Sequence, residues 1–406
     1  MQTVDLVVVG AGAAGMMCAA TAGQYGQRVV LIDHAQKLAE KIRISGGGRC
    51  NFTNRDVSAE NFISGNPHFC KAALAAYSAQ DFIDLVNSHG IAWHEKHRGQ
   101  LFCDGSSDQI IKMLKSACDQ AQVQWRMPCE VTEILKTPDG FTLNTSEGPI
   151  KTRRVVIATG GTAVPQVGAT DYGLRLARSF GLRVVDPRPA LVPLKFDPEV
   201  WQPFVQLAGV SVVARVSVAD QPQATPFVED ILFTHRGLSG PGVLQISSYW
   251  QPGQSLSFDL MPGVPVAQTL IDLKAGARQQ MSSALTAFWP KRLAENWLAE
   301  AGRRKLAEWS DKGLKELAAK IQDWRAVPTG TEGFKKAEVM RGGVDTNELN
   351  QRSMASKRVS GLHFIGEVVD VTGWLGGYNF QWAWSSGVAC GRYIGESGTH
   401  PPEISE

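Results

Sequence analysis

Val4-Asp5-Leu6-Val7-Val8-Val9-Gly10-Ala11-Gly12-Ala13-Ala14-Gly15 opens the chain with an apolar run that stops on glycines spaced GxGxxG. A β-branched run without polar alternation reads as a strand buried on both faces, as in a parallel sheet. Gly10 permits the tight turn, Gly12 lets the backbone approach a pyrophosphate, and Gly15 lets the next helix pack closely on the strand. That helix, residues 16 to about 25, presents free N–H groups and its positive dipole end to phosphates. Gly26 ends it, and a second strand, Val29-Val30-Leu31-Ile32, leads to Asp33. An acid at this distance past the glycines is placed for a ribose. A lone GxGxxG would also suit a glycine-rich turn of another α/β protein; strand, glycines, helix, strand and acid together specify a dinucleotide-binding unit. Gly10, Gly12, Ala13, Ala14, Gly15 and Asp33 are its candidate ligands. Asp33 favours a free 2′-hydroxyl, hence FAD or NAD over NADP, and leaves those two open.

Three further stretches narrow the choice. Lys41-Ile42-Arg43-Ile44-Ser45-Gly46-Gly47-Gly48-Arg49-Cys50-Asn51 carries three consecutive glycines, and continues to Thr53-Asn54. Such a backbone can wrap a bulky or anionic ligand, or form a flexible surface loop. Arg154-Val155-Val156-Ile157-Ala158-Thr159-Gly160-Gly161 is a second buried strand ending in small residues. Near the C-terminus, a strand ends in Gly366-Glu367, with Asp370 after it, then Gly376-Gly377-Tyr378-Asn379 opens a helix over 380–393.

SGGGRCN with TN, and the GE..D and GGYN segments, resemble bacterial BaiN/RdsA-like (aminoacetone-oxidase-like) NAD(P)/FAD-dependent oxidoreductases. The resemblance covers nearly the whole chain and implies FAD, with Lys41, Ser45, Gly46, Gly47, Gly48, Arg49, Cys50 and Asn51 running along it. Ala158, Thr159 and Gly160 are similar to the second backbone approach to FAD in two-dinucleotide-fold flavoproteins, where the residue at Val131 meets the adenine through its main chain. Gly366, Glu367, Asp370, Gly376, Gly377, Tyr378 and Asn379 complete the implied cofactor set. A helix N-terminus near the flavin would stabilise negative charge on its reduced form. Ala383, Ser385, Ser386, Gly387, Ala389 and Gly391 would let that helix approach closely, as would a small-residue packing seam.

The fold class expected is α/β: a Rossmann-like FAD-binding domain of the two-dinucleotide-binding flavoprotein type, interrupted by an inserted β-plus-helical domain. Its first part spans 1–190, the insert 191–334 and its C-terminal part 335–406. The proline-dense 187–193 marks the crossing. Within the insert, 212–218 and 255–260 alternate as antiparallel strands, and 267–324 is helical in period. Phe233-Thr234-His235-Arg236-Gly237-Leu238-Ser239-Gly240-Pro241 resembles the family's FTHxGxSGP, with Ser239 expected to cap a helix begun by Pro241. His235 is the catalytic candidate, because imidazole exchanges a proton near neutral pH; bracing the turn is its alternative role.

Composition sets outer limits. The 406 residues are 43% hydrophobic and 20% charged, which indicates a soluble globular chain of more than one unit. A net charge of +2 argues against nucleic acid as a partner, although KTRR (151–154) and GRRK (302–305) are local basic clusters. Seven cysteines without a CxxC pair argue for free thiols in a reducing compartment and against structural zinc. Cys50 reads as a packing residue more readily than as a redox thiol. HEKH (94–97) lacks the i, i+4 spacing of a metalloprotease pair. The apolar run 6–23 has Asp5 where a signal peptide would carry a cation, so it reads as strand, turn and helix in a cytoplasmic protein with no membrane span.

The leading expectation is hydride transfer between FAD and a small organic substrate, such as reduction of a carbon–carbon double bond or oxidation of an amine, with NAD(P)H as a transient donor. An RNA-modifying flavoprotein and a non-catalytic flavin-bound sensor or scaffold are the alternatives.

Overall fold

The computed structural model describes residues 2–221 and 225–399. The chain forms two compact units, Met1–Arg188 with Val339–Glu406, and Pro189–Glu338.

At the centre of the first unit is the strand Gln2–Val9, parallel to Val29–Ile32 on one side and to Ile150–Ile157 on the other. Gln124–Arg126 extends one edge in parallel, and Leu362–Phe364 pairs in parallel with the far end of Ile150–Ile157. The near end of that strand instead pairs antiparallel with Gly140–Thr145, which forms a ribbon with Val131–Thr137. Leu6, Val7 and Val8 are fully buried, which explains why the opening run does not alternate.

Helix Ala13–Gln24 is buried along nearly all its length and shows no amphipathic stripe. Its small residues admit neighbours at backbone distance. A Cβ added to Gly387 or Gly391 of the C-terminal helix Tyr378–Thr399 would stand 2.6 Å from the Ala14 carbonyl oxygen or 2.8 Å from that of Cys18. A Cβ on Gly395 would meet the Tyr25 side chain at 2.5 Å just past the helix end, so glycines four residues apart form a seam along the first helix. Gly387 and Gly391 therefore serve helix packing, the second of the two roles open in the sequence. The run 6–23 is a strand, a turn and a buried helix, and among the described residues no helix is long and apolar enough to cross a membrane.

The strands Val184–Ala190 and Val339–Val344 lie side by side where the chain leaves and re-enters this unit. In the second unit, seven strands pair in the order Trp324–Ala326, Leu256–Asp259, Ser211–Val218, Phe227–Phe233, Gly237–Ser239, Leu194–Lys195, Gly330–Thr331. The helices Val266–Lys274, Met281–Leu285, Lys291–Leu298 and Asp311–Gln322 form one excursion, after which the chain rejoins the sheet beside Leu256–Asp259. The helix Pro241–Ser247 begins on Pro241 as expected, but Ser239 does not cap it. Ser239 ends a strand paired to Leu232, and Gly240, at φ 86°, turns the chain into the helix without a side-chain cap.

Candidate functional site

The glycine turn is closed on one side and open on the other. A Cβ on Gly15 would overlap the Gly10 carbonyl oxygen, and one on Gly10, at φ 109°, would overlap Ala158. One on Gly12 would meet nothing within 4 Å. Gly12 begins helix Ala13–Gln24 without a side-chain cap or an acid in the first turn, so the N–H groups of Ala13, Ala14 and Gly15 lack intrahelical acceptors and carry the positive dipole end. Open space beside an uncapped, half-buried helix start fits a dinucleotide pyrophosphate.

Asp33 fixes this turn. Its Oδ2 accepts from Ala11 N–H at 2.7 Å and its Oδ1 from Ala35 N–H at 2.8 Å. The Asp33 carbonyl accepts from Cys129 N–H at 2.7 Å, which draws the start of the buried Val131 strand to the same sheet end.

Glu367 gathers three distant segments. Its Oε2 accepts from Lys41 Nζ at 2.7 Å and its Oε1 from Met340 N–H at 2.9 Å. Gly160, at φ 71°, and Gly161 lie against the same carboxylate, where a Cβ would be 3.8 and 2.9 Å away. Gly366 backs onto Ala14, and Ser386 Oγ accepts from its N–H at 3.0 Å. The strand end at Ala158, the Gly366-Glu367 turn, Lys41 and the first helix therefore meet in one place.

The second glycine loop is pinned at both edges. Gly46, Gly47 and Gly48 take φ of 57°, 67° and 85°, a left-handed run that side chains resist. Ser107 N–H donates to the Gly48 carbonyl at 2.8 Å, and Cys103 N–H to that of Arg49 at 3.0 Å. Ser45 Oγ bonds the Ile42 carbonyl at 2.7 Å, while Arg49 is exposed. Asn54 Nδ2 donates to the Gly376 carbonyl at 3.0 Å, and the Asn51 amide accepts from Gly377 N–H at 3.2 Å. The SGGGRCN and GGYN segments are thereby joined.

Several candidate side chains are engaged by the protein itself. Asn379 closes its own turn, accepting from Gly373 N–H and donating to the Gly373 carbonyl, at 2.8 and 2.9 Å. Asp370 is buried and accepts from Gly65 N–H at 3.0 Å, with burial raising its pKa. Tyr378 is buried edge-on to Phe62. Cys50 is fully buried, and burial pushes its thiol up, away from thiolate chemistry. The Thr159 hydroxyl is buried without a partner.

His235 belongs to the other unit, exposed at the tip of a turn. Thr234 braces that turn, its Oγ1 accepting from Gly237 N–H at 3.1 Å. Sequence reasoning passed over Tyr172, whose hydroxyl is buried without a partner and pushed up to about 12 by burial. A tyrosine at a helix start offers no pattern by which to find it.

Compared with known proteins, the sequence matches the HI0933-like protein Rossmann domain over residues 4–393. The chain belongs to that family. It is 49% identical over 401 residues, 97% of this chain and 98% of the relative, to a ribosomal RNA dihydrouridine synthase of Escherichia coli strain K12. With the protein of the same description from Haemophilus influenzae it shares 43% identity over 400 residues, 97% of this chain and 99% of the other. A 3-dehydro-bile acid delta(4,6)-reductase of Clostridium scindens is 29% identical over 419 residues, 96% and 98% of the two chains. The BaiN/RdsA-like resemblance of the glycine loop and the tail is thus a family relationship. The chain is an enzyme, a FAD-dependent oxidoreductase with a Rossmann-type cofactor domain.

Proposed function

We propose that this chain reduces the carbon–carbon double bond of a uracil base in ribosomal RNA. The observation that carries this reading is 49% identity across nearly the full length of a ribosomal RNA dihydrouridine synthase. The near-neutral net charge argued against nucleic acid, but net charge averages over a chain whose basic residues need act at one surface only.

The chemistry joins the two kinds of relative. Uracil has its 5,6 double bond conjugated to a carbonyl, and a 3-dehydro-delta(4,6) bile acid has double bonds conjugated to a ketone. Reduction of a bond so conjugated adds a hydride to the carbon β to the carbonyl, or to the δ carbon where a second double bond extends the conjugation, and a proton to the other carbon of that bond. FAD, when bound, supplies the hydride, and NAD(P)H restores it.

The chain's own residues divide the work. Gly12 and the N–H groups of Ala13, Ala14 and Gly15 receive the pyrophosphate. Asp33 orients the glycine turn and faces the ribose, and the Val131 main chain lies toward the adenine. Lys41 and Glu367 hold the Ala158-Thr159-Gly160 strand end to the Gly366 turn. The Gly46, Gly47 and Gly48 backbone, with Arg49 and the Gly376-Gly377 turn, lines the flavin end. His235 is the candidate proton donor in the second unit.

The test uses purified, flavin-loaded chain, reduced anaerobically by NADH or NADPH and mixed with ribosomal RNA from a strain lacking the protein. Flavin reoxidation coupled to dihydrouridine in the digested RNA, read by mass spectrometry, is the expected result. Reoxidation by a steroidal enone but not by RNA would refute the RNA substrate. Failure of both nicotinamides to bleach the flavin would return the sensor reading.

A further inference from the structure

Within the second unit, a cleft of ≈ 650 Å³ opens between helix Lys291–Leu298, helix Asp311–Gln322, the strand Trp324–Ala326 and the turn Gln202–Leu207. Phe204, Trp297, Trp309 and Trp324 line it, each half-buried. Their placement is fixed. Phe204 and Trp324 lie 5.3 Å apart centroid to centroid, and Trp324 also packs on Phe258 at 5.1 Å. Trp297 sits edge-on to Trp289 at 5.5 Å. Trp309 precedes Ser310, whose hydroxyl caps helix Asp311–Gln322 by accepting from Gly313 N–H at 3.0 Å.

Charged groups rim these rings, Arg304, Lys320 and Arg325 against Glu316 and Asp323, a local excess of cations. The Arg304 guanidinium lies 4.9 Å from the centre of the Trp309 ring, and Arg304 and Lys320 are exposed at the rim. The segment 303–325 carries seven lysines and arginines against four acids, more net positive charge than the +2 of the whole chain. A core seam needs no such charge, and an apolar peptide would not require it.

Aromatic faces interleaved with exposed cations are the chemistry that holds unstacked nucleobases by stacking while neutralising their phosphates. The volume falls in the range of sites that accept a nucleoside-sized group. We infer that this cleft binds single-stranded RNA, with bases against Trp309 and Trp297 and phosphates on Arg304 and Lys320. The inference rests on the RNA reading of the function and deepens it by assigning a surface for the strand.

The experiment titrates oligouridine of about ten nucleotides into the flavin-loaded protein and follows tryptophan fluorescence and affinity against salt. Wild type, Trp309→Phe, Trp309→Ala, Arg304→Glu and Lys320→Glu are compared, with flavin content and the rate of flavin bleaching by NAD(P)H as controls that must not move. The expected result is quenching on binding, a roughly tenfold weaker affinity for each charge reversal and for Trp309→Ala, near-normal binding for Trp309→Phe, and a shallower salt slope for the reversals. Dihydrouridine formation in ribosomal RNA is read in parallel. Normal RNA reduction and oligouridine binding by all four variants would overturn the cleft while leaving the function intact. Absence of both RNA reduction and quenching in wild type would overturn the cleft and the function together. Variants that bind naked RNA normally but lose binding to ribosomal particles would overturn it in favour of a protein partner.

Discussion

Gly12→Ala and Gly15→Ala separate cofactor binding from folding. Gly12 has φ −85° and ψ −165°, extended backbone open to alanine, and its new methyl would meet no protein atom within 4 Å. Losing glycine at an N-cap costs about 0.5 kcal/mol, and the stiffer unfolded chain returns about as much, so the apoprotein should stay within about 1 kcal/mol of wild type. In a unit of this size that is a change of about 3 °C or less in Tm. The methyl would nonetheless stand in front of the uncapped N–H groups. Displacing a phosphate from one charge-assisted hydrogen bond costs about 1.5–3 kcal/mol, so FAD affinity should fall roughly 10- to 100-fold. Gly15→Ala behaves oppositely, because its methyl overlaps the Gly10 carbonyl oxygen and lies 3.0 Å from the carbonyl carbon. Relief requires moving a helix packed on two sides, at a cost above about 3 kcal/mol. The assay is flavin absorbance per chain after purification, FAD titration of apoprotein by flavin fluorescence, and thermal unfolding of each apoprotein. A Gly12→Ala protein with wild-type FAD affinity would refute the placement of the pyrophosphate. An apoprotein destabilised as much as Gly15→Ala would refute the open space.

Asp33→Ala should purify largely free of flavin, since it loses a ribose acceptor and also both bonds that hold Ala11 and Ala35, about 1 kcal/mol each; fully yellow protein would contradict that role. Gly391→Ala should lower Tm by several degrees, because a Cβ 2.8 Å from the Cys18 carbonyl oxygen costs about 1–3 kcal/mol against about 1 kcal/mol of helix propensity gained; an unchanged or raised Tm would show that the helices separate freely. His363 is buried, donates Nδ1–H to the Ser353 carbonyl at 3.0 Å, and is lowered by burial to about 4. Below the ordinary imidazole pKa of about 6.5 the unfolded chain therefore takes up a proton that the folded chain refuses, and stability falls with pH until about 4. At pH 5 the loss is about 2 kcal/mol, so His363→Gln, less stable at neutral pH, should show a flatter urea-unfolding profile between about pH 6.5 and 5. Parallel profiles would contradict the neutral buried imidazole.

The cofactor unit was legible because each of its motifs is a local steric requirement. A glycine triplet after a β-branched run, an acid on the next strand and three consecutive left-handed residues in SGGG can be read without knowing what lies opposite. What could not be read is which distant groups meet. Lys41 and Glu367 each stood in the sequence as a cofactor contact, and their 2.7 Å bond across most of the chain carries no local signal. Gly387 and Gly391 could serve a ligand or a helix, because a small residue records only that something comes close. Ser239 had the right chemistry for a cap one position too early, since strand pairing to Leu232 claims it and Gly240 makes the turn. The aromatic cleft escaped notice for another reason. Tryptophans on amphipathic helices resemble core, and only the fold shows four rings and a local excess of cations around one opening.

This difference in legibility bears on substrate choice. Relatives with full-length similarity carry names of unlike substrates, a ribosomal RNA and a bile acid. The elements that position a flavin can be common to both, because hydride delivery to a carbon made electrophilic by a conjugated carbonyl makes the same demand in each case. Recognition differs sharply: a steroid needs apolar enclosure, whereas an RNA strand needs its phosphates neutralised and its target base lifted from the stack. On the RNA reading, the cationic segment 303–325 matters more than the overall charge of +2, since counterion release depends on the cations that touch the strand and not on the chain's sum. If the RNA reading holds, exchanging lysines and arginines of this segment for neutral residues should weaken RNA reduction steeply with salt while leaving flavin reduction by nicotinamide unchanged. A steroid reductase would be indifferent to the same exchange.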